Sequence, residues 1–269
     1  MTKWTNPVSN PGPCTYSGAW HSGFNPTGGF IFGDNSKGLI AACTILTVWA
    51  ASLVCGLSLD LSRLSPGVIL LAMAWQTFLY TGLFITAHDA MHGLVVPRNR
   101  KVNDRIGSLA VRLYALFSYR NLLAKHWQHH RHPASPQDPD FHDGAHDGFI
   151  RWYLRFITHY LTWKQLAGMA LLFNALVYIA GIPWRNLALF WAAPAILSTF
   201  QLFYFGTFLP HREGPEPYRD AHRARSNNYP VFWSFLTCYH FGYHWEHHEF
   251  PNVAWWHLPA VRRHSLREQ

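Results

Sequence analysis

The sequence predicts an all-α integral membrane protein, with four transmembrane helices paired as two hairpins, interfacial helices, and a histidine-rich cap on the cytoplasmic side. Three observations carry this expectation. Only 13% of the 269 residues are charged, about half the share of an ordinary soluble domain. Aromatic residues make up 16%, with 13 Trp, which suits the aromatic belts at the two faces of a bilayer. Long uncharged stretches recur in closely spaced pairs. The mean hydropathy of -0.05 is mild for such a protein, because the polar segments between the stretches dilute them.

Residues 1–36 hold Pro7, Pro11, Pro13 and Pro26 among Gly, Ser and Asn. Proline breaks helices, and no apolar core follows a basic start as in a cleaved signal peptide. The segment reads as an N-terminal tail or a loop draped over the domain, which covers 37–260 and leaves 261–269 as a C-terminal tail. Residues 38–59 are uncharged between Lys37 and Asp60, close to the roughly 20 residues that cross a hydrocarbon core. Residues 64–87 are uncharged too, and the short link at 60–63 makes the pair a tight hairpin. The second helix needs no break before His88, so its end carries His88 and His92 on one face.

Basic residues recur through 93–164. The apolar patch at 106–117 is interrupted by Arg112, too short and polar to span, and reads as an interfacial or re-entrant helix. A helix carrying His126 to His130 ends near Pro133, and 136–142 reads as a loop. Residues 165–182 and 186–209 are the third and fourth spans, joined by 183–185. After a polar loop, 231–248 lies at the interface as one helix with the last histidines, and Trp255 and Trp256 are candidate headgroup anchors. Both termini, all the histidine groups and most Lys and Arg then fall on one side, the cytoplasmic side by the positive-inside rule.

Formal charge is +8. The positive-inside excess accounts for it, and without a compact basic run nucleic-acid binding is not expected. Cys14, Cys43, Cys55 and Cys238 form no C-x-x-C pair, so neither a disulfide framework nor a zinc ribbon follows.

Eight histidines fall in three groups: His88 and His92; His126, His129 and His130; His244, His247 and His248. Helix positions three and four apart share a face, so each group can aim its imidazoles at one place. Buried imidazoles cost desolvation unless they are bonded, and neutral imidazole is the commonest side-chain metal ligand. Eight nitrogens are too many for one ion and suit two. The spacing leaves Zn, Cu, Fe and Ni open. It excludes the H-E-x-x-H zinc helix and the Glu-based soluble di-iron bundle.

Several stretches between the histidines add a resemblance. Phe84-Ile-Thr-Ala-His88-Asp-Ala-Met-His92-Gly93, Asp138-Pro-Asp-Phe-His142, Phe205-Gly-Thr-Phe-Leu-Pro-His211 and Cys238-Tyr-His-Phe-Gly-Tyr-His244-Trp-Glu-His-His-Glu-Phe-Pro251 resemble the β-carotene ketolases of the CrtW type. These are part of the membrane fatty acid desaturase and hydroxylase superfamily, and the likeness covers about residues 40 to 260. The resemblance implies two non-haem iron ions held by histidine alone, molecular oxygen as co-substrate and β-carotene as substrate. Carbon 4 of each ionone ring is oxidised by two successive hydroxylations and loss of water, giving echinenone and canthaxanthin. It also implies a ninth ligand, a lone histidine some thirty residues before the last group. His211 is preferred for it, and His240, four residues before His244, is the rival. Ligating histidines donate their second ring N–H to an acceptor, for which Asp89, Asp138, Asp140 and Glu246 are near in sequence, Asp89 and Asp140 foremost. His142 is a weaker candidate beside the site.

The chain has no dinucleotide fingerprint and no cysteine set for an iron–sulfur cluster, so electrons must come from a partner. A basic cytoplasmic face would attract an acidic ferredoxin. Within the same superfamily a carotenoid hydroxylase or a lipid desaturase is the alternative. A membrane metal transporter would instead place charged groups inside its spans.

Overall fold

The computed structural model describes residues 35–214 and 216–267, so most of the tail expected at 1–36 lies outside the described residues, as does Cys14. Among the described residues the protein is all helix, without a strand. The helices are α1 (Asn35–Ser58), α2 (Pro66–Met91), α3 (Arg100–Ala115), α4 (Tyr119–Arg131), α5 (Phe149–Tyr160), α6 (Trp163–Tyr178), α7 (Trp184–His211), α8 (Val231–Cys238), α9 (His244–Glu249) and α10 (Leu258–Ser265).

Three of them, α1, α2 and α7, are long and apolar enough to cross a membrane. The hairpin of α1 and α2 turns where the sequence places it. Asp60 caps the intervening 3₁₀ turn, and Ser65 with Pro66 starts α2, in keeping with proline's fitness for a first helical turn. The expected third span is shorter than its apolar stretch. Helix α6 has 16 residues, about 24 Å at 1.5 Å per residue, and stops before Gly181 (φ +70°) and Pro183.

Helix α7 contains two π-helical segments, Ala188–Ala192 and Tyr204–Phe208. Each is centred four residues before a proline, Pro194 and Pro210. A proline inside a helix lacks the N–H and collides with the carbonyl four residues back. Widening the turn there keeps the helix running to His211. At the other end, Asn186 Nδ2 donates to the carbonyls of Gly56 and Leu59 (3.0 and 2.8 Å). It thereby satisfies carbonyls at the end of α1 that have no partner within that helix.

The core gathers around α2, which packs against α1, α3 and α7. Buried Asn103 of α3 pins the turn after α2. Its amide donates to Ala90 O (2.7 Å), and its carbonyl oxygen accepts from the Val95 and Val96 amides. That staple fixes the end of α2, where His88 and His92 sit one turn apart. A second device lies at 239–243. Tyr239 and His240 take left-handed backbone (φ 48° and 63°), so the single helix expected over 231–248 is broken and α9 leaves in a new direction. Helix α10 runs past residue 260, where the sequence places the start of a tail. Val261 is buried there, and Arg262 bonds Glu246.

Candidate metal centre

Four helices deliver the histidines. Helix α2 brings His88 and His92, α4 brings His126, His129 and His130, α7 ends on His211, and α9 brings His244, His247 and His248. Helical spacing turns the rings of each group toward one cluster, but the α4 and α9 groups are each divided between two sets within it.

They sort into two sets. In one, ligand nitrogens of His88, His92, His126 and His247 lie within 4.8 Å of one another; in the other, those of His129, His211, His244 and His248 do. His130 joins them, its Nε2 3.0 Å from that of His247 and its ring stacked on His248 at 4.3 Å. Other Nε2 pairs are as close: His92 and His126 at 2.6 Å, His129 and His248 at 3.1 Å, His248 and His244 at 3.1 Å.

These contacts test whether the donor set fits metal. Two facing imidazole nitrogens can share one proton, but a ring of four cannot all be satisfied that way. Nε2 of His88 and of His211 are buried without any partner, and an unpaired buried polar atom is costly. Burial, reinforced by the neighbouring histidines, holds His126, His130, His244, His247 and His248 well below the usual imidazole pKa. Burial likewise depresses His92. Those six rings are thus neutral, and with His88, His129 and His211 they converge on two points, a donor set fit for two cations.

The second nitrogens find acceptors unevenly. His129 Nδ1 donates to both carboxylate oxygens of Asp138 (2.9 and 3.0 Å). Burial presses the His129 pKa down, but the Asp138 carboxylate overrides it and lifts it to about 9. The hydrogen bond keeps a proton on Nδ1, so the proton a bound cation would displace is that of Nε2, the nitrogen facing the cluster. Asp138 also accepts the Ala134 and Asp140 amides at 2.9 Å. His211 Nδ1 donates to the Arg223 carbonyl (2.8 Å), an acceptor that leaves no trace in sequence.

Several expectations need correction. Asp138, not Asp140, makes the close contact with His129. Asp140 stands 3.8 Å from His129 and accepts from the Tyr160 hydroxyl, and burial with the Asp138 charge beside it lifts its pKa to about 6. Asp89 is 3.5 Å from His88 Nδ1 and accepts the Trp255 amide. Glu246 bonds no histidine. It is fully buried against Arg262 (2.8 Å) and the Ser226 hydroxyl, tying α9 to α10. His240 is turned away by the left-handed reversal and packs among Phe235, Tyr243 and Trp255. His142 stacks on Phe141 and Trp152, with Nδ1 accepting the Gly144 amide.

A cavity opens onto both sets. Its walls include Phe84, Tyr114, Phe117, Phe156, Leu202 and Phe241, and it ends on His88, His126, His129 and His244. Gly206 lines it because the Phe241 ring occupies the place a side chain would take. A second, more polar cavity with Lys125, Lys164 and Asn121 shares Phe117, Leu122 and Tyr160 with the first.

The fatty acid desaturase family pattern matches residues 64–168 and 158–269. The β-carotene 4-ketolase of Protosiphon botryoides is 41% identical over 247 residues, 84% of this chain and 63% of that protein. The zeaxanthin 4-ketolase of Chlamydomonas reinhardtii is 42% identical over 241 residues, 84% of this chain and 53% of that protein. The β-carotene ketolase of Paracoccus sp. (strain PC1) is 43% identical over 232 residues, 86% of this chain and 94% of that protein. The chain thus spans less than two thirds of the length of the first two relatives and nearly all of the third.

Proposed function

The chain belongs to the fatty acid desaturase family, and from that premise we propose that it is a β-carotene 4-ketolase, a membrane-embedded oxidoreductase with a non-haem di-iron centre. The observation that carries this reading is the largely apolar cavity lined by histidines of both sets. The relatives' names supply the substrate: a β-ionone ring, wholly apolar, entering from the bilayer with carbon 4 toward the histidines.

His88, His92, His126 and His247 would hold one iron, and His129, His211, His244 and His248 the other, with His130 completing the first set through His247. Two bound irons would supply dioxygen activation at the ring's allylic C–H. The chain's own residues do the rest. Asp138 and the Arg223 carbonyl fix the ring orientation of His129 and His211. The aromatic walls exclude water and hold the ring against the site, so that the reacting carbon stays in place. Each hydroxylation consumes one O₂, two electrons and two protons and releases one water. A second at the same carbon gives a gem-diol, which loses water to leave the ketone; oxidation of one ring gives echinenone, and of both rings canthaxanthin.

In this reading α1, α2 and α7 span the bilayer and α6 completes the second hairpin, its exposed Leu171, Leu172 and Ile179 region facing lipid. The histidines then lie at the cytoplasmic ends of α2 and α7, with the basic loops. Expression in a β-carotene-producing bacterium, followed by pigment chromatography and mass spectrometry, tests the assignment. A ring carbonyl is expected. A ring hydroxyl alone, or a new double bond in an acyl chain, would replace it with a hydroxylase or desaturase assignment.

A further inference from the structure

An oxygenase of this kind needs electrons from outside the chain, and one side chain stands between its surface and the histidine cluster. Trp127 of α4 is partly exposed. Its ring lies 5.1 Å from that of His92, 5.6 Å from His130 and 6.3 Å from His126. No other tryptophan touches the two sets in this way among the described residues: Trp245 is bonded outward to Asp220, and Trp255 and Trp256 face His240 and His257.

The surface around Trp127 is basic. Arg131 lies four residues on and Arg120 seven residues back, both exposed and on the Trp127 face of α4. Arg100 is close enough to His92 for its charge to act there, although it shares that charge with Asp104 (2.9 Å). From residue 98 to 131 Asp104 is the sole acidic residue.

We propose that the exposed Trp127 face of α4, flanked by Arg120 and Arg131, is the docking surface for an acidic one-electron carrier protein, and that Trp127 is where its electron enters. The electron leaves the carrier, which is oxidised by one unit. It crosses the Trp127 ring edge to the His92 and His126 set, where a metal ion held by those histidines would take it up and be reduced by one unit, with no proton moved. Electron transfer slows steeply with distance, and the π-system in van der Waals reach of three imidazoles shortens the gap that solvent or aliphatic chain would leave. The arginines steer and hold the carrier through complementary charge, a contribution that salt screens. The inference rests on the oxygenase reading but not on the identity of the carotenoid.

The test uses the full chain in nanodiscs of zwitterionic lipid and an acidic plant-type [2Fe–2S] ferredoxin as probe. The double variant Arg120→Glu, Arg131→Glu should weaken ferredoxin binding to the metal-free protein by about tenfold or more at low ionic strength, the gap closing in 0.5 M salt, about where the screening length drops to a few ångströms. Trp127→Leu should leave iron content unchanged, and it is assayed at saturating ferredoxin. It should slow anaerobic oxidation of pre-reduced ferredoxin, followed by its own absorbance without carotenoid, at least tenfold, while reduction by dithionite stays as in the wild type. Trp127→Phe should recover part of the rate. Unchanged ferredoxin binding in the arginine variant overturns the docking surface, and so does a defect that appears only in anionic-lipid nanodiscs, which would make the patch a lipid contact. Loss of iron, or an equal slowing with dithionite, in Trp127→Leu overturns the entry role. Failure of ketone formation with these results intact would strike the substrate assignment alone.

Discussion

Replacing Asp138 with Asn should weaken the binding of one of the two proposed irons. Asp138 and His129 are both buried, and the imidazole Nδ1 lies 2.9 and 3.0 Å from the two carboxylate oxygens. The carboxylate keeps a proton on Nδ1, so Nε2, which faces His248 at 3.1 Å, is the nitrogen left for a metal ion. It also holds the loop after α4 by accepting the Ala134 and Asp140 amides. An amide of the same shape has one acceptor oxygen and an NH₂ that cannot accept, so at least one of these bonds is lost and the charge that stabilises the Nδ1 proton disappears. Removing such an orienting partner costs about 10- to 100-fold in metal affinity, about 1.4 to 2.8 kcal/mol. The loss should fall on the His129, His211, His244, His248 set and spare the other. Equilibration against a graded series of ferrous chelator buffers, followed by elemental analysis, reads both. The expected result is two iron-binding steps, one at wild-type affinity and one weakened into that range. Asp143→Asn, whose carboxylate bonds surface His146, Arg155 and the Ala145 amide away from the cluster, is the control. Two steps within twofold of the wild type would refute the role given to Asp138.

Three further outcomes follow. His211→Ala should leave about one iron per chain by elemental analysis, whereas His240→Ala should retain two, since His240 packs outside the cluster; equal losses would contradict the placement of the reversal at 239–240. Gly206→Val should lower ketone formation severalfold with iron retained, because a side chain there meets the Phe241 ring at the cavity wall; chromatography and metal analysis of the same preparation separate the two effects. Metal-free protein should melt at a higher temperature at pH 7.5 than at pH 5.5. His92, His126, His130, His244, His247 and His248 are depressed in the folded state, so the unfolded chain binds more protons as pH falls through about 6.5. His129, raised to about 9, runs the other way: its contribution is present below about 6.5 and fades as pH rises through 9; Asp140, raised to about 6 by burial, and His222, raised by Glu249, act in the same sense, but the six depressed imidazoles outnumber these three. A flat melting profile would show that the rings are not buried neutral.

Local periodicity determined much of this protein. Uncharged stretches bounded by Lys37, Asp60 and Pro66 set the first hairpin, and the helical spacing of His88 with His92, and of His126 with His129 and His130, put those rings on shared faces. Both depend on neighbours within one turn of helix, which the chain carries in its own order. What sequence spacing could not decide was direction across distant segments. His240 stands four before His244 and would share its face on a straight helix, yet left-handed backbone at Tyr239 and His240 sends one ring into an aromatic nest and the other into the cluster. His211 joins that cluster because α7 survives two prolines by widening its turns. Glu246 sits between two histidines in sequence but is claimed by Arg262, and His129 Nδ1 bonds Asp138 rather than Asp140, the acceptor the sequence favoured. Packing between helices far apart in the chain chose those partners, because a buried charge or ring nitrogen takes whichever group the tertiary contacts bring within hydrogen-bond reach.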